Sequence, residues 1–496
     1  MRLLFLTHRY LGIAISILML MWCLSGFVMM YVPYPDLPEA ARVAALSPLV
    51  ADSCCAQSAG AAPDSMAVSS VQVEMLAGRV ITRLRSGDGV RHQIDLATGR
   101  PAPATTLGEA RTVAAAFARH TGLPLEPMTI SSIQRDQWTV SGEFNPDRPL
   151  FRIDFADRGG TELYVSPSSG KALQLTTART RFWNWLGAIP HWLYFEPLRR
   201  HGPAWTQVII YSALTGCFLT VTGLWIGVRQ YLRRPARRRL SPYLGYMLWH
   251  HVPGLIFGLF LLSWVASGLL SMNPWGLLEG GDAFAERAAL TGPAPSWGEV
   301  RTAIGRILEA NPGRFVSLRS SPLDGRLYFI GTTAHSLNQG LDQATGQNSR
   351  VRLDPTGQAA PLTTAELTDV GALLGGGAPQ IMAGEDAFYF DHHSDHITLP
   401  VYRLLLPDAE HTRYYLDPVS GEILRKVDSG ARGYRWLHQG LHRLDFTSTL
   451  RARPLWDAMM ILLLTGSAVI AATGLYSAVI RLTGWRRRPA ANRVSS

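Results

Sequence analysis

Hydrophobic residues follow two different rhythms along this chain. Four uninterrupted apolar stretches run from Tyr10 to Val32, Ala204 to Val228, Val252 to Asn273 and Ala458 to Ile480, without a charged residue in any of them. Each is long enough to cross a hydrocarbon core about 30 Å thick as a helix. Helices of a soluble core show a polar face, and these do not. The first stretch exceeds a secretory h-region of about 7–15 residues, so it predicts a retained anchor. Between the stretches the rhythm shortens to alternation. Gly89 to Leu96 and Leu150 to Phe155 predict half-buried strands. Gly99, Gly170, Gly346 and Gly421 sit where hairpin turns need positive φ. Thr106 to His120 predicts a helix opened by a Thr106/Glu109 capping box. Thr364 to Leu374 predicts its counterpart, ended by Gly375-Gly376-Gly377.

The fold class is therefore an integral membrane bundle of four transmembrane helices with two external α+β domains. The division is a first helix within 1–32, an external segment 33–203, a second helix 204–228 and a loop 229–246. A third helix follows at 247–273, a second external segment at 274–454, a fourth helix at 455–480 and a tail at 481–496. Arginine placement orients it. Arg229, Arg233, Arg234 and Arg237 to Arg239 crowd the loop, and Arg481 and Arg486 to Arg488 follow the last helix. The positive-inside rule puts both termini and that loop in the cytoplasm of an inner membrane, and the two large segments in the periplasm. The formal charge of +10 is then met by anionic lipid headgroups and calls for no nucleic acid.

The chain is also written twice. Pro149, Arg152, Tyr164, Pro167, Gly170, Trp185-Leu186, His191, Phe195, Pro203, Trp205 and Thr222-Gly223-Leu224 recur at one constant offset. The second set is Pro400, Arg403, Tyr415, Pro418, Gly421, Trp436-Leu437, His442, Phe446, Pro454, Trp456 and Thr473-Gly474-Leu475. At a slightly shorter offset His8, Gly12, Trp22 and Ser25-Gly26 return as His250, Gly254, Trp264 and Ser267-Gly268. Of 14 histidines this internal two-fold repeat retains two pairs, His8 with His250 and His191 with His442.

A pseudo-twofold axis along the membrane normal would bring each pair together. Two imidazoles converging across a helix bundle are what a six-coordinate haem b requires, so two haems b are expected. His251 and His438 are rival ligands, paired by the repeat with Arg9 and Gly187. Trp22, Trp183, Trp185, Trp192, Trp249, Trp264 and Trp436 are candidates to pack on a porphyrin. Arg9, Arg435 and Arg443 are candidate partners for its propionates. Taken singly, any of these histidines could equally anchor a helix at the headgroups, as Trp does in an aromatic belt. The halves part company at Asp391-His392-His393-Ser394-Asp395-His396, which faces Ser141 to Pro146 in the first half. Asp391, His392, His393, Asp395 and His396 have the composition of a metal site, or of a polar loop. Cys23 and Cys217 lie in apolar stretches and should pack as small apolar groups. Cys54-Cys55 lies in an Ala/Ser/Gly/Pro-rich stretch, where thiol or soft-metal chemistry competes with a linker. Without Cys-x-x-Cys-His, covalent c-type haem is excluded.

These strings carry a resemblance. Tyr415-Leu416-Asp417-Pro418-Val419-Ser420-Gly421-Glu422-Ile423-Leu424 and its weaker copy Tyr164 to Leu173 are similar to the end of a PepSY domain. With His8-Arg9-Tyr10-Leu11-Gly12, Trp22, Ser25-Gly26 and Arg435 to Phe446, nearly the whole chain resembles the PepSY-associated transmembrane family. The resemblance implies four helices, two external PepSY domains and, in one branch, b-type haems that reduce ferric siderophores.

The leading expectation is a haem-dependent oxidoreductase passing electrons outward to a periplasmic ferric complex such as a ferric siderophore. No Rossmann, flavin or Walker A signature is present, so the donor is a quinol or a separate reductase. A non-enzymatic, membrane-anchored PepSY binding or sensory protein is the alternative. A metal or siderophore transporter is the third reading, opposed by the lack of Asp, Glu, Lys or Arg inside the stretches.

Overall fold

The computed structural model describes residues 2–50, 54–55, 62–233, 240–333, 350–393 and 397–485. Four helices are long and apolar enough to cross a membrane: Arg2–Met29, Gly202–Leu232, Tyr246–Ser271 and Leu455–Trp485. They are called here the first to fourth spans. Each begins before the apolar stretch that announces it, and the first and third end slightly short of its far limit. The first span thereby includes His8 and Arg9, and it stops short of Pro33 and Pro35, whose rings cannot continue a helix.

The spans and the segments flanking them form one compact unit, residues 1–34, 180–279 and 430–496. The first span packs against the second and fourth, and the third packs against the same two, so the four close a ring in chain order. Ile15, Met19, Cys23, Ala213, Leu261 and Val265 fill its interior. The Thr220 hydroxyl donates to the Gly216 carbonyl at 2.8 Å and the Thr473 hydroxyl to the Val469 carbonyl at 2.6 Å. Such back-bonding satisfies polar side chains where no water is available.

The second unit, residues 35–179 and 280–429, holds all the strands among the described residues. The first segment supplies β1 (Val68–Leu76), β2 (Arg79–Ser86), β3 (Arg91–Asp95) and β4 (Arg100–Pro101), then β5 (Thr129–Ile133), β6 (Leu150–Asp154), β7 (Glu162–Val165) and β8 (Ala172–Thr176). The second supplies β9 (Ser317–Ser320), β10 (Phe329–Thr332) and β11 (Arg350–Leu353), then β12 (Gln380–Met382), β13 (Val401–Leu405), β14 (Arg413–Leu416) and β15 (Ile423–Val427). Strands β5–β8 and β12–β15 are separate antiparallel sheets of four. Helix Leu107–Thr121 buries Ala110, Ala114 and Phe117 against the core of the first sheet. Helix Thr364–Leu373 buries Val370 against Leu404 and Leu416 of the second. Both open with capping boxes: Thr106/Glu109, read from the sequence, and Thr363/Glu366, which the structure adds.

The expectation of two self-contained α+β domains needs one correction. The remaining seven strands form a single sheet in the order β11-β10-β9-β1-β2-β3-β4. There β1 of the first segment pairs with β9 of the second, Val73 opposite Leu318. An unpaired β1 would present an open row of amides and carbonyls, and β9 covers it. Trp297, Ile304, Phe315 and Phe329 of the second segment share one core with Val73, Val80 and Ile94 of the first. The stretch around Cys54-Cys55 is more than a linker. It includes helix Glu39–Ala44, and the two cysteines are joined to each other as a disulfide that packs on this core.

Candidate cofactor-binding site

Within the helical unit, the rings of His8 on the first span and His250 on the third have centroids 6.4 Å apart. Those of His191 and His442 lie 6.1 Å apart. Two imidazoles in direct hydrogen bond, N···N about 2.9 Å, would close to about 5.2 Å between ring centres. Two imidazoles bound to opposite sides of one metal ion, each bond about 2.0 Å, stand about 6.4 Å apart. Both pairs have the wider spacing.

The anchoring of each ring decides which nitrogen is left for a ligand. His8 Nδ1 lies 3.1 Å from the Leu219 carbonyl and 3.3 Å from the Thr222 hydroxyl on the second span. His250 Nδ1 lies 3.2 Å from both the Ile470 carbonyl and the Thr473 hydroxyl on the fourth. His191 Nδ1 meets the Ser25 hydroxyl at 3.0 Å, beside the Trp22 carbonyl. His442 Nδ1 meets the Ser267 hydroxyl at 3.0 Å and the Trp264 carbonyl at 3.2 Å. A carbonyl only accepts, so Nδ1 carries the proton in all four and Nε2 keeps its lone pair. That is how proteins prepare a histidine for a metal. Among the described residues no hydrogen bond is made to Nε2 of any of them.

Local sequence explains the placement. Thr222 accepts from His8 while donating its own proton to the Phe218 carbonyl at 2.9 Å. Its neighbour Gly223 leaves space for the ring, since a Cβ there would stand 2.7 Å from His8 Cε1. Gly474 is placed likewise at 3.4 Å from His250 Cε1. His191 and His442 sit on short helices, Ala188–Trp192 and Leu441–Arg443, each ended by a leucine in the left-handed region: Leu193 (φ 52°) and Leu444 (φ 55°). Such conformations cost about 1–3 kcal/mol and persist where surrounding structure enforces them. Here the indole N–H of Trp205 donates to the Trp192 carbonyl at 2.9 Å, and that of Trp456 to the Arg443 carbonyl at 2.7 Å. Burial pushes the His191 imidazole down to about 4. Burial, with His438, His191 and Arg443 nearby, holds His442 well below the ordinary histidine range. Both are neutral and able to bind a cation.

The rival histidines separate clearly. His251 Nε2 donates to the Gly227 carbonyl at 2.9 Å and its Nδ1 accepts from the Ser241 hydroxyl, also at 2.9 Å. With both nitrogens engaged, it has none for a ligand. His438 Nδ1 faces the Ser267 carbonyl at 3.2 Å, and its ring lies 5.2 Å from that of His442, flanking the pair. Arg435 is buried, donates to the Asp445 carbonyl and pairs with the Asp445 carboxylate, which also holds Arg451 at 3.1 Å. Arg9 is exposed, and Arg443 is the arginine whose charge reaches His438 and His442. Of the tryptophans, Trp264 is buried, whereas Trp249 and Trp185 are exposed.

In the other unit, the Asp391 amide donates to Glu385 Oε1 at 2.8 Å, and Asp391 Oδ1 accepts from the Ile397 amide at 2.6 Å. The rings of His392 and His393 lie edge to face, 5.1 Å apart. Asp395 and His396 fall outside the described residues. Among the described residues no three His, Cys, Asp or Glu side chains gather as a metal site.

Sequence reasoning missed the hydroxyls of Ser25, Thr222, Ser267 and Thr473. All four stand in the repeated strings, so the signal was present without a role attached. The family model for the PepSY-associated TM region matches residues 5–340, more than half of the chain. No curated protein matches it.

Proposed function

The chain belongs to the family of the PepSY-associated TM region, and from that footing we propose that it is a membrane protein holding two haems b. In this reading it passes electrons outward across the inner membrane to reduce a periplasmic ferric complex, a ferric siderophore. The observation that carries it is the repeated pairing of histidines, each anchored through Nδ1, with ring centres 6.4 and 6.1 Å apart. His8 and His250 would hold one haem, and His191 and His442 the other.

Bound haem supplies a one-electron redox centre at each site. The chain's own part is to hold and insulate. Leu219, Thr222, Ile470 and Thr473 fix the rings of the first pair, and Ser25, Trp22, Ser267 and Trp264 those of the second. His8 and Ser25, which anchors His191, are seventeen residues apart on one helix, about 25 Å at 1.5 Å per residue. The two sites therefore lie toward opposite ends of the spans, which suits transfer across a bilayer. If each pair held a haem, the chain would supply both protein ligands at each site. Arg229 and Arg233 at the end of the second span support a cytoplasmic face for the His8–His250 pair. The donor, a quinol or a separate reductase, meets that face in this scheme.

The test is optical. Protein purified from haem-replete cells should be red and give the reduced-minus-oxidised spectrum of low-spin haem b, close to two haems per chain. A colourless preparation that is folded and monodisperse would sink the proposal.

A further inference from the structure

In the strand-bearing unit a cleft of about 80 Å³ opens between the β1–β2 hairpin, the residues following helix Glu39–Ala44, and helix Leu107–Thr121. Its floor is cationic. Arg42 is bidentate to Glu74 at 2.7 and 3.2 Å and also holds Glu39, while Arg83 reaches Glu74 at 2.8 Å and the Ser169 carbonyl at 2.8 Å. Both guanidinium groups are thus occupied. Lys171 is different. Among the described residues its hydrogen-bond partner is Gln72 Oε1, an uncharged amide, and no carboxylate lies within ion-pair distance. Burial, reinforced by the charges of Arg83 and Arg42 against the pull of Glu74, holds its ammonium down at about 8.

The residue type is itself informative. Of 47 basic residues in the chain only Lys171 and Lys426 are lysines. Lys426 has a carboxylate partner, Glu286, at 2.6 Å. Lys171 instead lines a cleft that also has an apolar wall, Leu46, Val113, Ala116 and Phe117. Its half-buried ammonium, beside a Glu74 already engaged by Arg42 and Arg83, has lost hydration that an incoming anion can replace. The wall asks that the anion carry a short hydrocarbon part, which inorganic phosphate lacks.

We propose that this cleft binds a small aliphatic carboxylate, with its carboxylate on Lys171 and its tail along the Val113–Phe117 face.

The test uses the full chain in detergent, titrated with propionate, inorganic phosphate or chloride at matched ionic strength. Amine-reactive labelling of the two lysines is followed by mass spectrometry, with Lys426 as the internal reference. Propionate should slow labelling of Lys171 several-fold and raise the unfolding temperature, and chloride should do neither. Ala116→Leu fills the cleft without touching the ion network and should abolish the protection. Lys171→Met should lose the thermal shift. Equal protection by phosphate would overturn the carboxylate assignment. No protection by propionate, or protection that survives Ala116→Leu, would overturn the site.

Discussion

The Thr222 hydroxyl on the second span lies 3.3 Å from His8 Nδ1 on the first, and the Leu219 carbonyl shares that proton at 3.1 Å. Thr222→Val removes one acceptor of two and keeps the volume. The ring should retain its tautomer and lose stiffness and basicity. Removing such a partner weakens metal binding by about 10-fold in comparable sites. The expected outcome is a protein that still binds two haems, one of them released faster to a competing apoprotein. Ser25→Ala should act in the same way on the other haem. Equal release of both haems from either variant would contradict the assignment of one hydroxyl to one site.

Gly223 and Gly474 occupy matching places and face different clearances. A Cβ at 223 would come within 2.7 Å of His8 Cε1, whereas at 474 it would stand 3.4 Å from His250 Cε1. Gly223→Ala must therefore displace the ring, an overpacking strain of about 1–3 kcal/mol. Gly474→Ala needs little adjustment. Haem content of the purified variants should fall for Gly223→Ala, at the His8–His250 site alone, and stay at wild-type level for Gly474→Ala.

If each haem is held by two histidines, the four alanine variants fall into two classes. His8→Ala and His250→Ala should remove the same spectral component, and His191→Ala and His442→Ala the other. His251→Ala should keep both haems, because its nitrogens are engaged by Gly227 and Ser241. Low-temperature difference spectra resolve the two components. Loss of a component in His251→Ala with the fold intact would reverse the ranking made here.

The four histidines were legible because a polar residue at a repeated place in an apolar context stands out even in one dimension. Their hydroxyl partners stood in the same strings but remained mute. What Thr222 or Ser267 touches depends on how neighbouring helices are rotated in the ring, and spacing along one helix does not carry that. The repeat set His251 behind His250, but the physical distinction lies in Ser241 and the Gly227 carbonyl, brought up by other segments. The capping box at Thr106 was readable because it is local. The shared sheet was not. The pairing of β1 with β9 joins residues some 245 positions apart, and either strand alone reads as an ordinary edge.

Glu74 ties the first and second segments' shared sheet to helix Glu39–Ala44, and its ionisation should be visible in stability. It is 1% exposed and held at about 2 by Arg42 and Arg83, which outweigh the burial that opposes its charge. A carboxylate lowered in the folded state favours folding above its unfolded value, near 4.5, and loses that contribution as pH falls from there through about 2. The unfolding temperature of the strand-bearing unit should therefore fall across that window. Glu74→Gln removes the charge and leaves Arg42 and Arg83 buried with less compensation, a loss of about 3–5 kcal/mol near neutral pH. Its stability should then be lower but flatter between pH 4.5 and 2 than that of wild type. Calorimetry of both proteins across that range decides it, and parallel pH profiles would show that Glu74 is not the group responsible.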